Sequence, residues 1–240
     1  MLCYIIIGSK TWATTNARYD LAGVIMESIE SRLPPNLGWL DVRLSSEEMD
    51  YLWRIIENKG VDIRDTLAGN ISSSSRLIDE NNMFFNNVCV PCLKFYEREF
   101  ESMSYINATT SANNRPFPLY LSSLWVNSQK QTEFNPNHNH AGIFSFVIWM
   151  KIPTNWEEQC KLPFVEKSNN PEAVSNFIFN YQNILGGSEG FTYSMNPNVE
   201  GNMVFFPSKL HHEVYPFYNC DEERITISGN ISLNTSNRPT

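Results

Sequence analysis

The sequence predicts a mainly β protein with some α-helices: a jelly-roll, or double-stranded β-helix, core with a helix-rich N-terminal part packed on it. Apolar residues recur at helical spacing in the first 112 residues. From about residue 118, short runs rich in aromatic and β-branched residues follow, separated by Gly, Asn and Pro. Short strands divided by turns are typical of a jelly-roll sandwich or barrel. We therefore expect a single domain, with residues 1–112 as a helix-rich N-terminal extension and residues 113–240 as the jelly-roll core.

Two helices are predicted in the N-terminal part. The first lies in 45–60, where a serine precedes acidic residues, apolar residues follow at helical spacing, and Gly60 ends the segment. The second lies in 79–103, where Pro91 kinks or breaks it. The "CVPC" at 89–92 has the spacing of a redox pair, but no βαβ pattern surrounds it, so we interpret its cysteines as buried helix residues.

Five runs predict the strands of the core. They are "LYLSSLWVNSQ" (119–129), "GIFSFVIWMKIP" (142–153), "GFTYSMNP" (190–197), "GNMVFFPS" (201–208) and "ERITISGNISLN" (223–234). Between the second and third, residues 170–185 predict a strand or a short helix inside an insertion. The "LGGSEG" at 185–190 lacks the lysine of a phosphate-binding loop, and we interpret it as a flexible hairpin that could act as a lid.

The histidines are the strongest candidates for chemistry, because all four lie in two close pairs. His138 and His140 stand in "NPNHNHAG" at the entry to a strand, and His211 and His212 stand in "KLHHEVYP" after a buried strand. Residues i and i+2 of an extended chain point to the same face, so the first pair can converge on one point and the second can add a ligand. Neutral imidazole is the commonest metal ligand. The alternative is that these are ordinary surface or core histidines.

Two segments containing these pairs resemble the 2-oxoglutarate- and Fe(II)-dependent oxygenases. They are "LWVNSQKQTEFNPNHNHAGIFSFVIWMKIP" and "GNMVFFPSKLHHEVYPFYNCDEERITISGNI". The pattern is a Trp-x-Asn strand, an H-x-H turn and an apolar strand, then Phe-Pro-Ser, H-x-V-x-P and an Arg-x-Ser/Thr strand. The resemblance covers roughly residues 115–233 and is to a branch typical of marine bacteria and their phages. It implies Fe(II) and 2-oxoglutarate as cofactors, and O₂ and a small-molecule or peptide substrate as partners.

The activity implied by this resemblance is that of a hydroxylase. Oxidative decarboxylation of 2-oxoglutarate would be coupled to oxidation of a C–H bond in an unknown substrate. Hydroxylation of a protein side chain, such as a prolyl residue, is suggested by analogy within the superfamily alone.

The resemblance assigns roles to particular residues. It implies that His212, which opens "HEVYP", is the distal metal ligand, and that Arg224, 12 residues later, binds the tail carboxylate of 2-oxoglutarate. A guanidinium suits this role because it grips a carboxylate with two hydrogen bonds and stays charged. Thr226 lies on the same strand face and could add a bond. The alternative for Arg224 is a surface ion pair with Asp221 or Glu222.

Trp125 and Asn127 are two residues apart on the strand before the metal turn, so they share a face. If that face points inward, Asn127 could hydrogen-bond 2-oxoglutarate or substrate, and Trp125 could form a wall of the pocket. The alternative is that Trp125 belongs to the core and Asn127 caps the strand.

His140 departs from the family pattern, because most such oxygenases have Asp or Glu at this position. If His138 and His140 both bind metal with His212, the site has three histidines and one negative charge fewer. We expect such a site to hold Fe(II) more weakly. Glu133 and Glu213 are the nearest alternative carboxylates; Glu213 points to the face opposite its neighbour His212, and Glu133 stays open.

Two other classes of protein fit parts of this pattern. A non-catalytic jelly-roll module that binds a metal or ligand would explain the missing carboxylate, but it has no need of Arg224. A dioxygenase of cupin type without a co-substrate would use three histidines and likewise leave Arg224 unexplained.

Composition narrows the partners and the compartment. The net charge of −8 and the lack of any Lys/Arg run disfavour nucleic acid and anionic membranes. No apolar stretch approaches the roughly 18–20 residues of a membrane span, and the short apolar run in residues 1–12 predicts a buried strand rather than a signal peptide. Five cysteines, an odd number, argue against a secreted disulfide framework. We expect a soluble, cytoplasmic protein. If a phage encodes it, the cytoplasm is that of the host cell. The helical extension could form a homodimer interface.

Overall fold

The structure is a computed structural model. It describes residues 37–100 and 119–234, together with the backbone of a short hairpin. The hairpin pairs β1 (Asp20–Leu21) with β2 (Val24–Ile25) in a unit of residues Met1–Leu37. Residues Gly38–Thr240 form a second unit, which contains all other elements. The strand predicted in residues 1–12 lies outside the described residues. In the described part of the chain, no helix has the length and apolar character needed to span a bilayer.

Two antiparallel sheets form the framework of the second unit. In chain order the strands are β3 (Leu40–Arg43), β4 (Ser73–Arg76), β5 (Leu119–Gln129), β6 (Asn135–His138), β7 (Phe144–Lys151), β8 (Phe177–Gln182), β9 (Ser188–Tyr193), β10 (Asn202–Pro207), β11 (His211–Val214) and β12 (Arg224–Leu233). Six of them form one sheet in the order β3-β10-β7-β12-β5-β4, and four form another in the order β6-β11-β8-β9. This confirms the predicted mainly β, jelly-roll architecture.

The helices are α1 (Ser46–Glu57), α2 (Val90–Phe100) and two single turns, α3 (Trp156–Gln159) and α4 (Pro163–Glu166). The sequence predicts α1 correctly because Ser45 and Glu48 form a reciprocal capping box at its start. A π-helix, Phe85–Cys89, leads directly into α2. It lies just before Pro91, which lacks an N–H and whose ring would clash with the carbonyl of Asn87 in a regular α-helix.

The N-terminal part also supplies two edge strands that the sequence analysis did not predict. β3 pairs with β10, and β4 pairs with β5. Both are four residues long; β4 reads "SSSR" and has no apolar pattern, and β3 reads "LDVR", an alternation too short to mark a strand. The division of the chain at residue 112 stays a prediction, since residues 101–118 lie outside the described part.

Side-chain alternation along the six-stranded sheet separates two hydrophobic clusters. One face packs against α1 and α2; on it Tyr96 contacts Phe144, with ring centroids 4.9 Å apart. The other face packs against the four-stranded sheet; there Phe179 contacts Phe206 edge to face, with centroids 5.0 Å apart. The functional candidates of β5 and β12 therefore lie between the sheets, away from the helices.

A substitution at Gly229, in the middle of β12, tests the packing of this sheet against the helices. A methyl group there would overlap the Phe146 ring and lie 3.0 Å from the carbonyl oxygen of Ser123. We expect Gly229→Ala to lower the free energy of unfolding by about 1–3 kcal/mol, the usual cost of overpacking a core, measured by urea denaturation. Gly190→Ala is the matched control, because its nearest neighbour would be Ile178 Cγ2 at an ordinary 3.5 Å. Equal stability of the two variants would contradict the packing described.

Candidate active site

Three histidines meet at one end of the four-stranded sheet. His138 is the last residue of β6 and is the cross-strand partner of His212 in β11. His140 lies beyond the strand, in a loop fixed by a bond from its backbone N–H to the carbonyl of Ser208 (2.8 Å). His138 and His140 were predicted to share the face of one strand. Instead, β6 ends at His138, and the loop that follows brings His140 to the cluster. One ring nitrogen from each histidine lies within 4.8 Å of the others, a grouping that could hold a metal ion.

The hydrogen bonds of the rings fix which nitrogen atom faces the centre of the cluster. Each Nδ1 lies beside an oxygen that can only accept: Pro136 O at 2.7 Å from His138, Asn230 Oδ1 at 3.0 Å from His140, and Leu210 O at 3.1 Å from His212. Each ring therefore carries its proton on Nδ1 and keeps a lone pair on Nε2. The Nε2 atoms of His138 and His140 are only 3.3 Å apart, so two lone pairs face one another without a proton between them.

Burial keeps these imidazoles uncharged. Burial lowers the pKa of His138 and is the largest cause of that shift. It also lowers the pKa of His140 to about 4 and the pKa of His212 well below its ordinary value. The proximity of the other rings adds to the effect for His140 and His212. At neutral pH all three Nε2 lone pairs are available to a metal.

The two acidic residues considered as alternative ligands are engaged elsewhere. The Glu133 carboxylate accepts bonds from the backbone N–H groups of Ser72 (3.1 Å) and Lys130 (2.8 Å). Glu213 accepts a bond from the Asn180 side chain (3.0 Å), on the face away from the cluster as its position predicted. In the described part of the chain, the cluster contains histidines alone.

A cavity of about 280 Å³ opens beside the cluster, between the sheets. The three histidines line it together with the predicted Trp125, Asn127 and Thr226. Residues 66–69 and 71, from the segment before β4, form part of its wall. Among the described residues, no Asp, Glu, Lys or Arg side chain lines this cavity, so its surface is neutral apart from any bound metal.

Arg224 is buried at the start of β12, with 1% of its surface exposed. Its Nη2 donates to the carbonyl oxygen (2.8 Å) and the hydroxyl (2.7 Å) of Ser175, and its guanidinium carbon lies 5.0 Å from the centre of the Phe217 ring. Its Nε and Nη1 have no hydrogen-bond partner. Burial lowers the pKa of Arg224 to about 9, which still leaves the group charged at neutral pH.

The surface ion pair considered for Arg224 is not formed with either acidic neighbour. Glu222 pairs with Lys151 at 2.7 Å, and Asp221 accepts a bond from Gln131 at 2.9 Å. The guanidinium of Arg224 is thus a buried cation without an anionic partner among the described residues. Its cross-strand partner Gln129 lines the cavity.

Asn127 and Trp125 occupy the inner face of β5, as predicted. Asn127 is the cross-strand partner of both Thr226 and Ser74, and its side-chain oxygen accepts a bond from the Ser74 hydroxyl (2.7 Å). The Trp125 ring lies 5.7 Å from the His140 ring, centroid to centroid. The amide nitrogen of Asn127 has no partner among the described residues and remains available to a ligand.

Sequence reasoning missed three supporting residues. Asn230, which holds His140, also accepts a bond from Ser145 (2.8 Å). It lies an even number of residues after Arg224 and Thr226 on β12, so alternation could have identified it. Ser74 and Ser175 carried no signal, because they contact Asn127 and Arg224 across separations of 53 and 49 residues.

The fold and the cluster together define a jelly-roll protein with a histidine-rich candidate metal site. Residues 123–230, which contain the whole cluster and Arg224, match the family model described as "Putative 2OG-Fe(II) oxygenase". This segment, slightly less than half of the chain, is similar to the 2OG-Fe(II) oxygenases, enzymes that use Fe(II), 2-oxoglutarate and O₂. No curated protein matches the chain.

Solved structures similar to this chain include three at low sequence identity. An oxidoreductase of the 2OG-Fe(II) oxygenase family from Burkholderia pseudomallei is 11% identical, with 78% of each chain covered and a TM-score of 0.45. A prolyl-4-hydroxylase from Pseudomonas putida is 15% identical (82% of this chain, 94% of that chain, TM-score 0.43). A prolyl hydroxylase from Trichoplax adhaerens, in complex with a peptide of hypoxia inducible factor, is 12% identical (83% and 84%, TM-score 0.42).

The depressed histidine pKa values predict that the metal-free protein loses stability in mild acid. The unfolded chain takes up protons on histidine as the pH falls through about 6.5, whereas folded His140 does so only near pH 4. Between these values the unfolded state binds more protons, so the free energy of unfolding falls as the pH falls. For His140 alone the loss at pH 5 is on the order of 2 kcal/mol.

Urea denaturation of the metal-free protein at pH 7 and pH 5 measures this loss. His140→Asn removes one of the titrating groups and should show a smaller difference between the two pH values. A wild-type protein that is equally stable at both would contradict the buried, neutral state of the cluster.

Proposed function

We propose that the protein is a hydroxylase that holds Fe(II) with His138, His140 and His212 and binds 2-oxoglutarate through Arg224. One observation carries the proposal: three neutral imidazoles aim their Nε2 atoms into a cavity whose neighbouring strand holds a buried, unpaired guanidinium. When bound, Fe(II) and 2-oxoglutarate supply the oxidative chemistry, in which O₂ oxidises a substrate C–H bond and 2-oxoglutarate becomes succinate and CO₂.

The cluster fits a metal ion because its facing Nε2 atoms carry lone pairs and no proton. The Nε2 atoms of His138 and His140 face each other at 3.3 Å with neither able to donate. A cation that accepts both lone pairs converts this repulsion into binding. The oxygen atoms that bond each Nδ1 hold the rings in orientation and make Nε2 a better donor to metal.

Arg224 fits the tail carboxylate of 2-oxoglutarate. A buried charge without a partner is costly, and its Nε and Nη1 lack the hydrogen bonds that such groups need. A carboxylate would supply both the opposite charge and the acceptors. Thr226 and Asn127 line the cavity beside the histidines and are proposed to add hydrogen bonds, and Trp125 is proposed to close the wall and exclude water.

The three-histidine set has a consequence for the metal. A carboxylate ligand would add one negative charge to the site, and His140 adds none. Asn230, which bonds the far side of His140, and Ser145, which donates to Asn230, are neutral as well. We propose that this protein therefore binds Fe(II) more weakly than an otherwise equal site with a carboxylate.

The neutral lining of the cavity supports a substrate whose reacting part is uncharged. Side chains that could hold such a group by hydrogen bonds include Asn135 and Asn139, and Leu67 and Ile71 offer apolar contact. A peptide or a small amphipathic molecule fits this description. Hydroxylation of a prolyl residue, the cytoplasmic location and a homodimer stay predictions.

The adjacent histidines of β11 give a matched test of the metal site. His212 belongs to the cluster, whereas His211 is exposed and contacts Asn139. We expect the anaerobic protein to bind Fe(II) and 2-oxoglutarate as a coloured complex and to form succinate on addition of O₂. His212→Ala should abolish both, and His211→Ala should retain both.

A non-catalytic module predicts a different result from the same experiment. It would bind the metal but form no succinate above the level of Fe(II) in buffer. If His212→Ala binds Fe(II) as the wild type does, the metal site proposed is wrong.

Position 140 tests the role of ligand charge. His140→Asp introduces the carboxylate that most of these oxygenases have, and His140→Asn has the same size without the charge. We expect the Asp variant to bind Fe(II) at least about tenfold more tightly than the Asn variant, because one close charge pair contributes more than about 1.4 kcal/mol in a buried site. Anaerobic titration with Fe(II) measures the ratio, and equal affinities would show that residue 140 does not contact the metal.

A further inference from the structure

Ser175 is an unusual residue because it is fully buried and yet adopts the left-handed backbone conformation. Its φ is +65°, a region that residues with a side chain rarely occupy, and none of its surface is exposed. Its carbonyl oxygen and its hydroxyl oxygen both accept a bond from Nη2 of Arg224. This conformation lets one residue present two acceptors to the same nitrogen atom.

The surroundings of Ser175 maintain this conformation. Its backbone N–H donates to the carbonyl of Pro216 (3.0 Å), and its hydroxyl lies 3.2 Å from the Thr154 hydroxyl. The flanking Ala173 and Asn176 are buried as well. Strained backbone persists only where the surrounding structure enforces it, and such residues are concentrated at functional sites.

We infer that Ser175 is a positioning residue, which fixes Nη2 of Arg224 so that Nε and Nη1 are held ready for the distal carboxylate of 2-oxoglutarate. The inference rests on the proposed function. An arginine side chain has considerable rotational freedom, and holding it before the ligand arrives removes part of the entropy cost of binding. The Phe217 ring covers the guanidinium at 5.0 Å, so Ser175 and Phe217 together define its place.

Two substitutions of Ser175 separate positioning from a purely structural role. Glycine adopts a φ of +65° without strain, so Ser175→Gly removes the strain together with the hydroxyl. Ser175→Ala removes the same hydroxyl but keeps the strain. If Ser175 positions Arg224, both variants lose affinity for 2-oxoglutarate, although glycine preserves stability better than alanine.

The experiment measures binding to the Mn(II)-loaded protein by calorimetry, with thermal unfolding of the same samples. The probes are 2-oxoglutarate and pyruvate, which shares the 2-oxo acid group but lacks the distal carboxylate. We expect both Ser175 variants to bind 2-oxoglutarate about tenfold more weakly, the usual effect of losing a hydrogen bond to a charged group. Pyruvate binding should not change.

Thr132→Gly is the matched control for the backbone. Thr132 also has a positive φ, of 71°, but it lies in an exposed turn, and its side chain has no bond to the site. This variant should bind 2-oxoglutarate as the wild type does.

Arg224→Ala distinguishes failure of the inference from failure of the proposed function. If Arg224→Ala leaves 2-oxoglutarate binding unchanged, Arg224 is not the carboxylate partner, and both ideas are wrong. If Arg224→Ala weakens binding but the two Ser175 variants do not, Ser175 has no positioning role and the proposed function stands. Equal losses for pyruvate and 2-oxoglutarate in the Ser175 variants would indicate general distortion and would also overturn the inference.

Discussion

The candidate site depends on the two faces of one central strand. β12 lies between β7 and β5, so its backbone bonds are satisfied on both sides and its side chains must point to one layer or the other. Ile225 and Ile227 face the helices, whereas Arg224 and Thr226 face the second sheet. A register shift of one residue would exchange these two sets, burying an arginine under the helices and removing Thr226 from the cavity. The hydrophobic packing of α1 and α2 on the sheet therefore also fixes the position of Arg224.

Side-chain alternation along the strands also explains which parts of the site could be predicted from the sequence. The shared face of Trp125 and Asn127 follows from two-residue alternation, whereas His212 was assigned by the family resemblance; the structure brings these residues together with His138. The position of His140 was predicted for a different reason from the one observed, because β6 ends at His138. A loop conformation depends on contacts such as the one with Ser208, which no local pattern records.

Long-range contacts account for what the sequence could not predict. Ser175 meets Arg224 only because the chain returns to β8 after an insertion, and its left-handed backbone has no signature in the residues around it. β4 is a strand because it pairs with the edge of the longer β5, not because its serines favour extended structure, and β3 alternates over four residues only and pairs with β10. In contrast, the start of α1 was predictable, since its capping box is local, whereas the helix ends at Glu57, before the predicted Gly60. Local signals thus predicted elements and faces, while the supporting partners of the site came from tertiary structure.

The charges of the proposed site explain why its parts depend on one another. The three imidazoles are neutral, and Arg224 is a cation with no carboxylate beside it, so the described protein groups supply no negative charge to balance a divalent metal. The proposed co-substrate is a dianion, and its two carboxylates would meet the two sources of positive charge, the metal and Arg224. Binding of metal and of 2-oxoglutarate must then favour each other, and by linkage the enhancement is the same in both directions. In a site with a carboxylate at position 140, part of the metal charge is already balanced, and this mutual dependence is smaller. In the proposed site, the neutral His140 would leave more of the metal charge for the co-substrate to balance, and the inferred positioning of Arg224 by Ser175 would then contribute to metal binding as well.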